Sequence, residues 1–199
     1  MTASAGAAAA PYFDPKIGAR AISVLPGRHA VTAEPDLAVT TLLGSCVAAC
    51  IRDVEAGVGG LNHFLLPGED RGDGAARSTR YGVHAMEVLI NDILKRGGRK
   101  SALEAKIFGG ANVIDTSTRD TVGLRNAEFV RQYLATEGIR IAAADTGGER
   151  ARRVFFFPAT GRASVLRLAP SESAGASRAE ARLRQAAARA PRAGGVELF

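Results

Sequence analysis

The first third of the chain alternates short apolar runs with turn-forming residues. Runs of about four to eight β-branched and other apolar residues, bounded by Gly or Pro, are typical of strands. Such breaks occur at Pro26-Gly27, Glu34-Pro35, Gly44 and Gly57. The pattern predicts antiparallel strands over five segments, which are Ala21–Leu25, Ala30–Thr32, Leu37–Leu43, Cys46–Arg52 and Val58–Leu65.

Further along, the apolar positions take on the spacing of helices. One helix is predicted from about Tyr81 to Arg96, where Gly97-Gly98 ends it, and a second from about Val122 to Glu137. Four more strands are predicted, at Leu103–Phe108, Ile139–Ala144, Arg153–Phe157 and Ala163–Leu168. Grouped strands that outnumber the helices indicate an α/β protein of the α+β type, built as layers, and argue against a doubly wound parallel sheet.

The domain organisation follows from where these patterns stop. A chain of 199 residues suits one domain with tails. We expect an N-terminal tail over residues 1–20, a folded domain over 21–169 and a basic tail rich in alanine and arginine over 170–199. A short helix from Ser177 to Ala190 is compatible with that composition, but Leu183 is its one large apolar residue.

The net charge of +6 raises the question of an anionic partner. Five arginines against three acidic residues between Ser171 and Phe199 supply +2 of it, and the remainder is spread along the chain. Basic residues do not alternate with aromatic ones, as they do in single-strand binding platforms. We therefore expect no nucleic-acid partner.

The two cysteines, the N-terminus and the hydropathy bear on the cellular compartment. No segment has the roughly 20 apolar residues needed to span a bilayer, so membrane insertion is not expected, and the alanine-rich start lacks a secretory pattern. Cys46 and Cys50 lie four residues apart on a predicted strand, so their α-carbons should be about 13 Å apart, too far for a disulfide. Two free thiols and a cytoplasmic location are expected.

The segment around Cys46 is the richest in chemistry. One predicted strand ends at Gly44, the chain turns through Ser45, and Cys46 opens the next strand. A glycine there lets a substrate approach the backbone, and nearby amides can stabilise an oxyanion. His63 ends a strand that can pair with the cysteine strand, and an imidazole can take the thiol proton.

The residue that orients the imidazole is left open by the sequence, with Thr40 and Thr41 as candidates. The simpler alternative is that Cys46 is a small buried apolar residue and His63 a structural histidine. Cys50, inside the apolar run and away from any glycine, is expected to be structural. No cluster has metal-ligand spacing, and no cofactor is expected.

Several motifs in order resemble one family, the chemoreceptor glutamine deamidases called CheD. They cover about Ile22 to Leu168 and are Leu43–Ala48, Asn62-His63 leading into Leu66-Pro67, Glu104–Ala111, Gly123–Asn126, and Asp145–Gly148 with Arg150 and Gly161. The resemblance implies a layered α/β sandwich similar to the catalytic domain of glutamine-deamidating bacterial toxins. It also implies Cys46 as nucleophile, His63 as base and Thr40 as the orienting residue, with Thr41 as the fallback.

The resemblance further implies what the protein acts on. Receptor glutamine side chains would be converted to glutamate through a cysteine thioester, and methyl glutamates could react in the same way. The implied partners are cytoplasmic helices of methyl-accepting chemoreceptors and, in some bacteria, the phosphatase CheC. Two alternatives stay open: a mainly non-catalytic binding module of the chemotaxis system, and a cysteine hydrolase that acts on another glutamine-containing protein.

Four other residues are weaker candidates for contacts with substrate or partner. Gly109 and Gly110 follow a predicted strand and could cradle a substrate backbone or simply form a turn. Arg125 and Asn126 open a predicted helix and could bind a partner, although a structural role is favoured.

Overall fold

A computed structural model describes residues 10–66, 73–112, 122–169 and residue 172. The predicted helix Ser177–Ala190 lies outside these residues. The described chain forms two helices, α1 (Asp73–Lys95) and α2 (Val122–Thr136), and a 3₁₀ turn at Lys100–Ala102. Its ten strands are β1 (Tyr12–Asp14), β2 (Ala19–Ser23), β3 (Arg28–Thr32), β4 (Leu37–Leu43), β5 (Val47–Asp53), β6 (Gly59–His63), β7 (Leu103–Gly109), β8 (Arg140–Thr146), β9 (Arg152–Phe157) and β10 (Arg162–Arg167).

The strands form two five-stranded sheets. The first sheet has the order β1-β2-β4-β9-β10, and the second has the order β3-β6-β5-β7-β8. Most neighbours are antiparallel, as expected, but β2 pairs with β4 in parallel, and so does β7 with β8. The expectation of a wholly antiparallel front half is therefore wrong, because β3, between β2 and β4 in sequence, crosses to the second sheet.

Strand β5 shows how the layers are held together. Its Val47, Ala49 and Ile51 belong to the core shared with α1 and α2. Ala48 and Cys50, on the other face, pack with Val39, Leu43 and Phe156 of the first sheet in the core between the sheets. Because successive strand residues point to opposite faces, β5 is buried from both sides. The helices, second sheet and first sheet thus form stacked layers, which confirms the α+β prediction.

The element boundaries differ most from the predictions at two places. Helix α1 begins at Asp73, eight residues before the predicted Tyr81. The expected tail over residues 1–20 contains β1, which pairs with β2, and the first residues of β2 itself. A three-residue strand between Pro11 and Pro15 is too short to show a periodic pattern.

Candidate active site

Cys46 lies in the turn that connects β4 of the first sheet to β5 of the second. Its side chain is 1% exposed and packs in the core between the sheets. It is a free thiol, and so is Cys50, as the sequence predicted. Burial raises the pKa of the Cys50 thiol far above its ordinary value, which leaves Cys50 protonated and unreactive.

His63 is the last residue of β6, which pairs with β5 as the sequence predicted. Val47 and Phe64, the residues directly after Cys46 and His63, exchange both backbone hydrogen bonds at 3.0 Å. In this antiparallel register Cys46 and His63 are diagonal neighbours on one face of the sheet, a separation that a long side chain spans. The fold therefore brings the expected nucleophile and base together.

Thr41 contacts the imidazole of His63. Its hydroxyl oxygen lies 2.7 Å from Nδ1 of His63, and the hydroxyl donates to the carbonyl of Val24 at 2.8 Å. A hydroxyl has one proton, so a group that donates to Val24 accepts from the Nδ1–H of His63. This arrangement favours the tautomer in which Nε2 carries the lone pair of a general base.

Thr40, the orienting residue implied by the family resemblance, lies on the other face of β4. It is opposite Phe155 in the sheet, whereas Thr41 is opposite Val154, which belongs to the core between the sheets. Within the described residues the buried hydroxyl of Thr40 has no hydrogen-bond partner. The structure thus has the hydroxyl of Thr41, and not that of Thr40, against the imidazole, because neighbouring residues of a strand face opposite sides.

The turn that carries the nucleophile is held through three successive carbonyl groups. The carbonyl of Gly44 accepts from the Ala111 amide at 2.8 Å, and that of Cys46 from the Gly110 amide at 2.7 Å. Between them, the carbonyl of Ser45 accepts from Nδ2 of Asn126 at 2.8 Å. We call these three donors the carbonyl clamp.

Gly109 and Gly110 make this clamp sterically possible. Their φ angles are +107° and +66°, which side chains rarely tolerate. A Cβ on Gly109 would lie closer than 3.0 Å to the Cys46 carbonyl oxygen, and one on Gly110 would lie 2.6 Å from the carbonyl oxygen of Gly123 in α2. The absence of a side chain at both positions therefore allows the backbone to pack closely against the nucleophile's turn and against α2.

The other predicted contact residues are in helix α2. Asn126 is completely buried, and both ends of its amide are used inside the protein, so direct contact with a substrate is sterically blocked. Arg125 precedes it and is half-buried. A groove of about 560 Å³ opens beside Gly110, and its lining includes Leu124 and Arg131.

Tyr81 in α1 lies near Cys46, which the sequence did not indicate. Its hydroxyl lies 3.3 Å from the position that a Cβ on Gly27 would take, and the Gly27 amide donates to the His63 carbonyl at 2.7 Å. Burial raises the pKa of Tyr81, and the neighbouring Cys46 adds to the effect. A tyrosine at the predicted start of a helix has no local pattern that would mark it as part of a site.

Within the described ranges there is no group of His, Cys, Asp or Glu side chains that could hold a metal ion. In the same residues, no helix is both long and apolar enough to cross a membrane.

Comparison with known proteins identifies the family to which the sequence is similar. A family model described as "CheD chemotactic sensory transduction" matches residues 65–167. Proteins named "Probable chemoreceptor glutamine deamidase CheD" are 52% identical in Xanthomonas campestris pv. campestris, with 94% of this chain and 93% of the relative covered. The protein of that name in Cupriavidus metallidurans is 51% identical, over 94% of this chain and 88% of the relative.

Among solved structures, the hypothetical protein YfiH of Bacillus licheniformis matches with a TM-score of 0.40 and 18% identity, over 59% of this chain and 49% of that one. The family match spans more than half of the chain, and the sequence relatives cover nearly all of it. The chain therefore belongs to the CheD family.

Proposed function

We propose that the protein is a chemoreceptor glutamine deamidase in which Cys46 is the nucleophile, His63 the general base and Thr41 the residue that orients the imidazole. One observation carries the proposal: Val47 and Phe64 are paired, so that Cys46 and His63 are diagonal neighbours, and the Thr41 hydroxyl lies 2.7 Å from Nδ1 of His63. The names of the curated relatives support the substrate class.

In the first half of the proposed reaction, His63 takes the Cys46 proton, and the thiolate attacks the side-chain carboxamide carbon of a glutamine. The carbonyl π electrons move onto oxygen to give a tetrahedral intermediate. When this collapses, the C–N bond breaks, the imidazolium protonates the leaving nitrogen, and ammonia departs. The product is a thioester between Cys46 and the substrate.

In the second half, His63 activates a water molecule that adds to the thioester carbon. The C–S bond then breaks, the thiol is restored, and glutamate is released. Backbone amides of the turn at Gly44 and Ser45, including the amide of Cys46, stabilise the oxyanion in both halves. The carbonyl clamp keeps these peptide groups in fixed orientations.

The proposed product explains how such an enzyme would tune adaptation. Each turnover adds one negative charge to a receptor helix. Like charges on adjacent helices of a coiled-coil bundle repel, so deamidation shifts the balance between packing states of the receptor. The groove beside Gly110, with exposed Leu124 on its rim, is the surface we assign to contact with a receptor helix. CheC remains a proposed partner on grounds of family alone.

The decisive experiment uses the two cysteines as a matched pair. A receptor cytoplasmic fragment is incubated with the wild-type protein, Cys46→Ala or Cys50→Ala. The masses of its tryptic peptides are then measured by mass spectrometry. Exchange of an amide NH₂ for OH adds about 1 Da per modified glutamine. We expect the gain with the wild-type protein and Cys50→Ala and its loss with Cys46→Ala. A gain that survives in Cys46→Ala would exclude Cys46 as the nucleophile.

The same variants separate an enzyme from a binding module. Receptor signalling that persists with Cys46→Ala would make turnover dispensable and favour the binding module. Signalling lost while Cys46→Ala still binds the receptor would show that the chemistry is required.

A further inference from the structure

The buried side chain of Asn126 connects the turn that carries Cys46 with the segment that follows His63. Its Nδ2 donates to the carbonyl of Ser45 at 2.8 Å, and its Oδ1 accepts from the Leu66 amide at 2.9 Å. Ser45 immediately precedes the nucleophile, and Leu66 lies three residues after His63. Asn126 therefore couples the turn of the nucleophile to the segment that follows the base.

The bond to Ser45 has a geometric consequence for Cys46. The carbonyl of Ser45 and the N–H of Cys46 belong to one planar trans peptide group, in which they point in opposite directions. A donor that fixes the carbonyl therefore fixes the direction of the Cys46 N–H. That N–H is one of the groups expected to face the oxyanion.

Within the carbonyl clamp, Asn126 supplies the bond that a side-chain substitution can remove. The other two donors are the backbone amides of Gly110 and Ala111. Asn126 also occupies an apolar stripe of α2, next to Ala127 and close to Val130. A buried polar side chain at such a position costs stability unless it is hydrogen-bonded, and packing alone favours an apolar residue there.

We propose that Asn126 is a positioning residue, which holds the Ser45–Cys46 peptide so that the Cys46 amide faces the developing oxyanion. This inference rests on the proposed function, because it assumes that Cys46 attacks a carbonyl carbon. In this proposal the side-chain amide of Asn126 contributes to acyl transfer without contacting the substrate.

Two reactions of Cys46 separate positioning from general support of the fold. Acylation by p-nitrophenyl acetate passes through an oxyanion, whereas alkylation by iodoacetamide is a direct displacement at carbon and forms none. Both reactions need the thiolate and an accessible sulfur. Their rate ratio therefore reports oxyanion stabilisation, and neither reaction requires the receptor, so a wrong substrate assignment would leave the test intact.

The substitution Asn126→Asp keeps an acceptor for the Leu66 amide and replaces the donor to Ser45 with an oxygen. Asn62→Asp is the matched control, because Asn62 is also buried, accepts from the Ala49 amide at 2.9 Å and donates to the Ala85 carbonyl at 3.0 Å. Asn62 makes the same kind of bridge but does not bond to the nucleophile's turn.

The full-length protein and its variants are compared at pH 8. Loss of one oxyanion donor costs about 100- to 1000-fold in rate, so its misdirection should lower the acylation-to-alkylation ratio of Asn126→Asp by about 10- to 100-fold. The ratio of Asn62→Asp should stay within about threefold of wild type. Should Asn126→Asp not fold, Asn126→Ser removes the same donor without adding a charge.

Two results would overturn the proposal. One is an unchanged ratio in the folded Asn126 variant, with both rates lowered together, which would indicate structural support only. The other is a wild-type ratio no higher than that of free cysteine, which would mean that no oxyanion site exists to be positioned. Receptor deamidation measured on the same samples tests the proposed function separately.

Discussion

The adjacent threonines of β4 provide a controlled test of which residue orients His63. Thr41→Val and Thr40→Val make the same change in neighbouring buried residues, which are 4% and 2% exposed. Valine is β-branched like threonine and has nearly its shape, so the substitution removes the hydroxyl with little change in packing volume. One hydroxyl lies 2.7 Å from the imidazole, whereas the other has no hydrogen-bond partner within the described residues.

The two substitutions should differ in their effect on stability. Thr41→Val removes the donor to the Val24 carbonyl and the acceptor for His63, and buried groups left without partners cost about 1–3 kcal/mol. Thr40→Val removes a buried hydroxyl that is not hydrogen-bonded, so we expect it to be neutral or to stabilise the protein by up to about 1 kcal/mol. Urea denaturation of both variants measures the difference.

Activity should separate the variants further. In Thr41→Val the residue at position 41 no longer accepts a hydrogen bond from Nδ1–H. The fraction of the imidazole in the tautomer with a lone pair on Nε2, which the base needs, therefore falls. We expect kcat/KM to fall about 10- to 100-fold, equivalent to about 1.4–2.7 kcal/mol of transition-state stabilisation. Thr40→Val should keep kcat/KM within about twofold of wild type. The rate of the 1 Da gain on receptor peptides is the assay.

The opposite pattern would refute this reasoning. If Thr40→Val were inactive and Thr41→Val active, the orienting residue would be Thr40, as the family resemblance implied. The assignment from strand register would then be wrong. Equal activity in both variants would show that His63 needs no hydroxyl partner.

Three further predictions concern the support of the site and the fold. In urea denaturation, Gly109→Ala should destabilise the protein by about 3 kcal/mol or more and Gly138→Ala by about 1 kcal/mol. Both glycines have a positive φ, which costs free energy in either variant. An added Cβ on Gly109 would also clash with the backbone, whereas one on Gly138 would have nothing within 4 Å. In the native protein, iodoacetamide should label Cys46, which has His63 beside it to take the thiol proton, and spare Cys50, whose pKa is raised; peptide mapping would show which thiol reacts. Burial alone would raise the pKa of Asp53, but backbone donors and the charge of Arg99 hold it below its ordinary 3.8. The stability from this carboxylate is therefore present above pH 3.8 and lost as pH falls further, so thermal unfolding of Asp53→Asn should lack that part of the acid-induced decrease.

The local pattern predicted most elements because each has a clear period or clear breaks. Strands β4 and β5 and helix α2 lie within one or two residues of their predicted bounds. The partners of the strands were harder to predict. The parallel pairing of β2 with β4 depends on β3 leaving for the other sheet, and no residue between Ala19 and Leu43 shows that departure locally.

In the candidate site too, features that depend on the local sequence could be predicted, and features that depend on packing between elements could not. The proximity of Cys46 and His63 could be predicted because a short turn pairs the strands that they open and end. Thr40 and Thr41 could not be separated from sequence, because both faces of β4 are buried and the strand lacks an apolar-polar alternation. Tyr81 was missed because its distance from Gly27 depends on how α1 packs on the second sheet.

The burial of the site bears on which amides it could process. Cys46 is 1% exposed and His63 2% exposed, so a reacting carbonyl must reach into the protein. A backbone amide carries chain on both sides, so it could approach a buried sulfur only if its own chain unfolded locally. A glutamine carboxamide stands at the end of two methylenes and can enter while its helix stays outside. The geometry thus favours side-chain deamidation over peptide cleavage, and it predicts that asparagine, one methylene shorter, reacts far more slowly at the same receptor position.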